Sequence, residues 1–262
     1  MDFPRAKLDI DGQVGIVTLN HPEVMNAVSS EMLGGLMKAL DEIENPKNGV
    51  RCLLLTGAGR GFCAGANLQP GDGPTGSRDA GSVLEQQYHP FLRRLRELPM
   101  PFVTAVNGAA AGVGMSFALM GDLCICARSA YFLQAFRRIG LVPDGGSTWI
   151  LPRLVGKARA MELSLLGERL PAEKALEWGL ISRVVDDAEL INKAKELARD
   201  LASGPTVALK LIRRLYWEST DNSYEEQLNL ERQMQRAAGL TSDFREGVSA
   251  FLEKRPAKFR GE

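Results

Sequence analysis

Val50–Thr56 (VRCLLLT) is a continuous apolar run that ends in the glycine-rich stretch GAGRGFCAGAN. A strand carrying Leu53, Leu54 and Leu55 in succession has no polar face to turn towards water, so its sheet must be covered on both sides. Phe102–Val106 repeats the arrangement and runs into NGAAAGVGMSFALMGDL, which reads as a turn, a small-residue helix and a strand near Leu123–Ala127. Buried strands alternating with helices are the pattern of βαβ units and a mainly parallel sheet. The chain is therefore expected to be an α/β protein.

The remaining segments fit around that core. Residues 5–10 and 14–20 alternate about Asp11-Gly12, a hairpin signal. Ser29 or Ser30 can cap a helix whose Leu33, Leu36, Leu40 and Ile43 share a face, and Asn45-Pro46 ends it. A helix with Phe91, Leu95 and Leu98 on one stripe is closed by Pro99 and Pro101. Residues 69–82 (QPGDGPTGSRDAGS) read as a loop, a candidate lid over a substrate. IGLVPDGGSTWILPRLVG is a turn opening into a helix. Pro171 suits a helix start and Gly179 its stop, Gly204-Pro205 separates two further helices, and SDFREGVSAFLEKRPAKF ends the chain as an amphipathic helix. There is no internal sequence repeat. The expected division is an α/β core over residues 1–190 and a helical C-terminal region over 191–262.

Acidic and basic residues balance at 32 each across 262 residues, so no net field draws the chain to nucleic acid or an anionic membrane surface. No apolar run approaches the ~20 residues that span a bilayer, and MDFPRAKLDIDG has no signal-peptide core. Cys52, Cys63, Cys124 and Cys126 are spaced for neither zinc nor a disulfide framework; Cys124 and Cys126 read as neighbours on one strand face. Free thiols and the missing leader suggest a cytoplasmic protein. No metal site, P-loop or dinucleotide fingerprint is present, so no cofactor is expected.

The strand-to-turn-to-helix junctions at Gly61–Asn67 (GFCAGAN) and Asn107–Gly114 (NGAAAGVG) carry the chemistry. Small residues let a ligand approach the backbone, and amides at a helix start are unpaired and partly positive. Two such amides converging on one oxygen make an oxyanion hole. Taken singly, each junction reads equally well as tight packing of helix on sheet. Asp144 reads as a helix N-cap before Gly145-Gly146-Ser147, or as a base whose pKa burial would raise. His21 and His89 are the only histidines, and both read as surface or packing residues.

Five ordered segments resemble the enoyl-CoA hydratase/isomerase (crotonase) family: LNHPEVMNAVSSEM, GAGRGFCAGANL, AVNGAAAGVGMSFALMGDL, WGLISRVV and EGVSAFLEKRPAKF. The resemblance implies a spiral of repeated ββα units with a C-terminal helical trimerisation region, and a homotrimer or dimer of trimers. It implies an acyl-CoA thioester substrate, with CoA part of the substrate. The Ala66 and Val113 amides would hold the thioester oxygen as an enolate forms. Val24, Asn67, Leu68 and Gln69 would lie along the acyl-CoA path, and Phe251 and Lys254 would contact CoA.

Family hydratases use two glutamates, and the matching positions here are Ser116 and Phe136. Neither handles a proton as a carboxylate does. Glu85 or Glu97 would serve only if the fold turned it inward. Asn67 stands where many members have aspartate. Asp144 is then the one candidate acid/base. AFRRIGLVPDGGSTWILPRLVG is similar to the branch containing the ring-1,2-epoxyphenylacetyl-CoA isomerases of phenylacetate breakdown. The expected reaction is a shift of a 3-enoyl-CoA to its 2-enoyl isomer, or conversion of a ring-epoxide acyl-CoA to an oxepin thioester. The rivals are an atypical hydratase, an enzyme using Asp144 as nucleophile, and a non-catalytic acyl-CoA binder.

Overall fold

The computed structural model describes residues 1–68 and 79–262. Among them two sheets form the core. Strands β1 (Asp2–Phe3), β2 (Ala6–Asp11) and β3 (Val14–Leu19) pair antiparallel, with Asp11 opposite Val14 across the turn. From β3 onwards the large sheet is parallel: β4 (Cys52–Gly57), β6 (Phe102–Val106), β8 (Leu123–Ala127) and β11 (Arg183–Val185) follow in that spatial order. Leu53, Leu54, Leu55, Val103 and Ala105 are all buried, as strands covered on both faces must be.

The second sheet was not legible as strands. It has the order β10 (Arg169–Pro171), β9 (Tyr131–Leu133), β7 (Ala109–Ala111), β5 (Gly61–Cys63), with β5, β7 and β9 parallel and β10 antiparallel to β9. These strands have three residues each, too few for periodicity to register. Each of β4, β6 and β8 passes directly into a short strand of this sheet and then towards a helix. The outcome is a spiral of ββα units, the crotonase fold, repeated in structure though not in sequence.

Helix α1 (Ser30–Glu44) is capped by Ser29, whose Oγ accepts from Met32 N at 3.1 Å. Its buried Leu33, Leu36, Leu40 and Ile43 are the expected stripe. Helix α2 (Ala80–Val83) begins inside the stretch expected to be a loop, with Asp79 Oδ1 accepting from Gly81 N at 2.9 Å. It continues through one π-helical segment, Leu84–Tyr88, into α3 (His89–Glu97). The rest of the expected lid, residues 69–78, lies outside the described residues. Helix α4 (Val113–Leu119) is buried throughout, and α5 (Ser147–Leu166) is broken at Gly156.

After α6 (Ala172–Glu177), helix α7 (Leu190–Ser203) lies on β3, β4, β6 and β8 and buries Ala194, Leu197 and Ala198. It therefore packs as part of the α/β core, and the projecting helical region starts after Gly204-Pro205 rather than at residue 191. That region is α8 (Thr206–Glu218), α9 (Tyr224–Gly239) and α10 (Ser242–Glu253). It leaves Tyr216, Leu240, Phe244 and Phe251 exposed. No helix among the described residues is long and apolar enough to cross a membrane.

Arg213 pins α8 to the core. Its guanidinium donates to Asp122 Oδ2 at 2.5 Å, Leu98 O at 2.6 Å and Leu95 O at 3.2 Å, and the same Asp122 oxygen accepts from Phe102 N at 2.7 Å. Removing one partner of a buried ion pair strands the other and costs about 3–5 kcal/mol. Arg213→Ala should therefore lower the unfolding free energy, measured by urea titration, by an amount of that order. Arg214→Ala, which breaks only an exposed pair with Glu218, should change it by under about 1 kcal/mol.

Candidate active site

Asn26 organises the first wall of the site. The side-chain Oδ1 accepts from His21 N at 2.8 Å, and Nδ2 faces the carbonyls of Ala58 at 2.9 Å, Gly61 at 2.8 Å and Phe62 at 3.2 Å. Asn26 is fully buried and, with Met25, adopts a left-handed backbone (φ 56° and 50°). The amide thus clamps the segment before α1 onto the β4–β5 turn. Beyond the clamp, Val28 N donates to Gly65 O at 2.7 Å and Asn67 N donates to Val28 O at 2.8 Å. This is a parallel bridge between Val28 and Ala66. In such a bridge the residue flanked by both bonds turns its own N–H to the opposite side. Ala66 is that residue, so its amide faces away from Val28. Among the described residues it is this bridge that leaves the Ala66 amide free.

The second wall is the start of α4. Gly112 holds φ 52° and ψ −129°, a conformation that side chains disfavour, and its N–H donates to Leu133 O at 2.9 Å. Val113 is the first helical residue, so its N–H has no partner within the helix. Neither this amide nor that of Ala66 donates to a protein acceptor among the described residues. The two turns touch: a Cβ on Gly65 would lie 3.8 Å from Gly112 Cα. Two unpartnered amides on adjoining turns can hold a negatively charged oxygen.

The third wall is the turn before α5. A cavity of about 590 Å³ is lined by Ala66, Val113, Tyr88, His89, Phe136 and Asp144, among others. Asp144 is not the helix cap. That position belongs to Gly146, with no side-chain bond. The Asp144 backbone carbonyl instead accepts from Ser147 Oγ at 2.8 Å, Ser147 N at 3.1 Å and Ser116 Oγ at 3.1 Å. The carboxylate is left to the cavity. Its Oδ1 is buried and has no hydrogen-bond partner among the described residues, and burial pushes its pKa up to about 6.

Ser116 and Phe136 are both buried. A Cβ on Gly145 would lie 2.6 Å from Ser116 Cβ, so the Asp144 turn rests directly on this serine. A glutamate at position 116 would have no room without moving that turn. Glu85 and Glu97 are exposed and do not line the cavity.

The other expected contacts divide. Leu68 lines the cavity, whereas Asn67 is buried behind it and Gln69 lies outside the described residues. Val24, in the short helical turn Pro22–Val24, is not on the cavity wall. Nor are Phe251, which is 82% exposed on α10, and Lys254, which ends that helix with φ 55°. His89 was read as a surface or packing residue, yet it lines the cavity beside Tyr88. The four-residue spacing of Leu84 and Tyr88 hinted at one inward face; the π-helical turn that carries His89 onto it has no such signal.

Residues 9–262 match the enoyl-CoA hydratase/isomerase family. The chain belongs to that family. It is 50% identical to the 1,2-epoxyphenylacetyl-CoA isomerase of Escherichia coli (strain K12), with 97% of each chain covered. It is 42% identical over the full length of both chains to a probable enoyl-CoA hydratase of Rhodobacter capsulatus. Among solved structures, an enoyl-CoA hydratase from Polaromonas sp. JS666 superposes with a TM-score of 0.90 at 35% identity, covering 97% of this chain and 99% of that one. A putative enoyl-CoA hydratase from Streptomyces coelicolor A3(2) gives 0.92 at 33% identity, covering 100% and 96%. This is a family of enzymes acting on acyl-CoA thioesters.

Within this enoyl-CoA hydratase/isomerase family member, the contact between Ser116 and Gly145 is directly testable. Ser116→Glu overfills a closed site and buries a charge, so it should destabilise by more than the roughly 1–3 kcal/mol of simple overpacking. Calorimetry should show a clear drop in melting temperature. A glutamate accepted at no cost would mean the Asp144 turn is not seated on residue 116.

Proposed function

We propose that this chain is an acyl-CoA isomerase with Asp144 as its acid/base. The observation that carries the reading is the cavity carboxylate: Asp144 is the only acidic side chain lining the cavity among the described residues, and one of its oxygens is buried without a partner. As carboxylate it removes the C2 proton of a 3-enoyl-CoA. The Ala66 and Val113 amides hold the enolate oxygen, and Asp144 returns the proton at C4 to give the 2-enoyl isomer. One base suffices, because both carbons belong to one dienolate. A ring-epoxide acyl-CoA rearranging to an oxepin thioester uses the same parts, with the C2 proton leaving and a ring carbon taking one up. The similarity to a 1,2-epoxyphenylacetyl-CoA isomerase supports this branch of the reading. Exposed Tyr216, Leu240 and Phe251 support a homotrimer or a dimer of trimers.

A hydratase reading draws on the relatives named as probable enoyl-CoA hydratases and on His89, whose imidazole lines the cavity. Hydration needs groups that activate water and protonate carbon, and positions 116 and 136 supply neither. NMR of 3-hexenoyl-CoA and 2-hexenoyl-CoA separates the readings. The isomerase converts the first to the conjugated product and forms no 3-hydroxy product from either. Rapid hydration of 2-hexenoyl-CoA would overturn the proposal.

Two further outcomes follow from the raised pKa. Asp144→Asn should lose about 10²–10⁴-fold in turnover. In the wild type kcat/KM should climb about tenfold per pH unit below about 6 and level off above it, because the base is the ionised form. Stability runs the other way. A carboxyl whose folded pKa exceeds its unfolded value contributes most below the unfolded pKa and loses that contribution as pH rises through about 6. At pH 7.5, Asp144→Asn should therefore melt higher than wild type, by up to about 3 kcal/mol in stability. At pH 4 the gain should vanish.

A further inference from the structure

We infer that the Tyr88 hydroxyl binds an oxygen carried by the acyl group beyond the thioester, so that the site favours acyl-CoA substrates bearing an ether or epoxide oxygen. The inference rests on the acyl-CoA reading of the cavity.

Tyr88 is 3% exposed and lines the cavity from the π-helical segment. Its hydroxyl has one protein contact, Val28 O at 3.5 Å, well beyond the ~2.7–2.8 Å of a normal O–H···O bond. That carbonyl already accepts from Asn67 N at 2.8 Å. Buried phenols ordinarily find a good partner. Asp144 Oδ1, on the same cavity, has no partner among the described residues, so no hydrogen bond joins it to the phenol. Burial and the nearby Asp144 carboxylate push the phenol pKa up, so it stays a proton donor at neutral pH. The cavity is thus lined by a donor held only by one long hydrogen bond and by an acceptor that the acid/base reading commits to proton transfer.

The thioester oxygen is not the phenol's partner. The Ala66 amide is turned away from Val28, whereas the phenol rests on the Val28 carbonyl. Amide and phenol therefore serve different atoms. What remains is an acceptor on the acyl group, and an ether or epoxide oxygen accepts without competing for Asp144.

Calorimetric titration with two thioesters of equal shape tests this: 2-methoxyphenylacetyl-CoA, which presents an ether oxygen, and 2-ethylphenylacetyl-CoA, which presents a methylene in its place. Wild type should bind the methoxy ester about tenfold more tightly, the equivalent of one hydrogen bond. Tyr88→Phe should abolish that preference and leave the ethyl ester within about twofold. Equal weakening of both esters would overturn the assignment in favour of a thioester or packing role. So would an unchanged preference, or no binding of either ester. Turnover of 3-hexenoyl-CoA by Asp144→Asn reads the isomerase proposal separately. Retained activity there would sink that proposal while a Tyr88-dependent preference stood.

Discussion

A peptide amide can serve a ligand only if the fold withholds every other acceptor from it. At Ala66 this is achieved by a single parallel bridge, in which Val28 takes both bonds available on one side and leaves the amide on the other. The bridge exists because Asn26 fastens the preceding segment to three carbonyls of the β4–β5 turn. Three short strands of the small sheet then bring the Gly65 turn against Gly112, where α4 contributes the second free amide. The spiral thus fixes by packing, well before any ligand arrives, where a developing negative charge can be held.

The carboxylate opposite is held by a different device. Asp144 is anchored through its backbone carbonyl, which takes two serine hydroxyls and one amide, so the side chain is positioned without being neutralised. Among the described residues nothing donates to its Oδ1, and burial raises its affinity for a proton. The cost is carried by the surrounding core, where each fully buried leucine or phenylalanine stabilises by about 1.5–3 kcal/mol. Stability and basicity are opposed at this residue, since the burial that raises its pKa also destabilises its charged form.

Much of this was legible in the chain. Leu53–Leu55 and Phe102–Val106 announced a doubly covered sheet, Ser29 announced α1, and the five family segments implied the spiral. The small sheet was not legible, because three alanines or Gly-Phe-Cys carry no periodicity. Asp144 was ambiguous because Asp before Gly-Gly-Ser fits a cap as well as a base; only the position of Gly146 as cap separates the two. The bridge that frees the Ala66 amide was not legible, since it depends on a residue 38 positions earlier, Val28 against Ala66. His89 was missed because it reaches the cavity through a helical irregularity that no residue pattern marks. The expected core boundary at residue 190 stops short of α7 because that helix is amphipathic like those that follow it, and only its packing on the sheet distinguishes it.

That irregularity has a consequence for how such a site changes over evolutionary time. A π-helical turn is an α-helix with one residue inserted, and residues 84–88 hold one. Loss of a single residue there would restore α-helical register and swing everything on one side of it by about 100° relative to the other. Tyr88 and His89 could then no longer face the cavity together with Val83 and Leu84, whereas the two amides and Asp144 are carried on other elements. One codon deletion would thus redraw one side of the pocket without touching the elements that carry the two amides and Asp144. Families built on this spiral can diversify in what they accept by a route that point substitution does not offer.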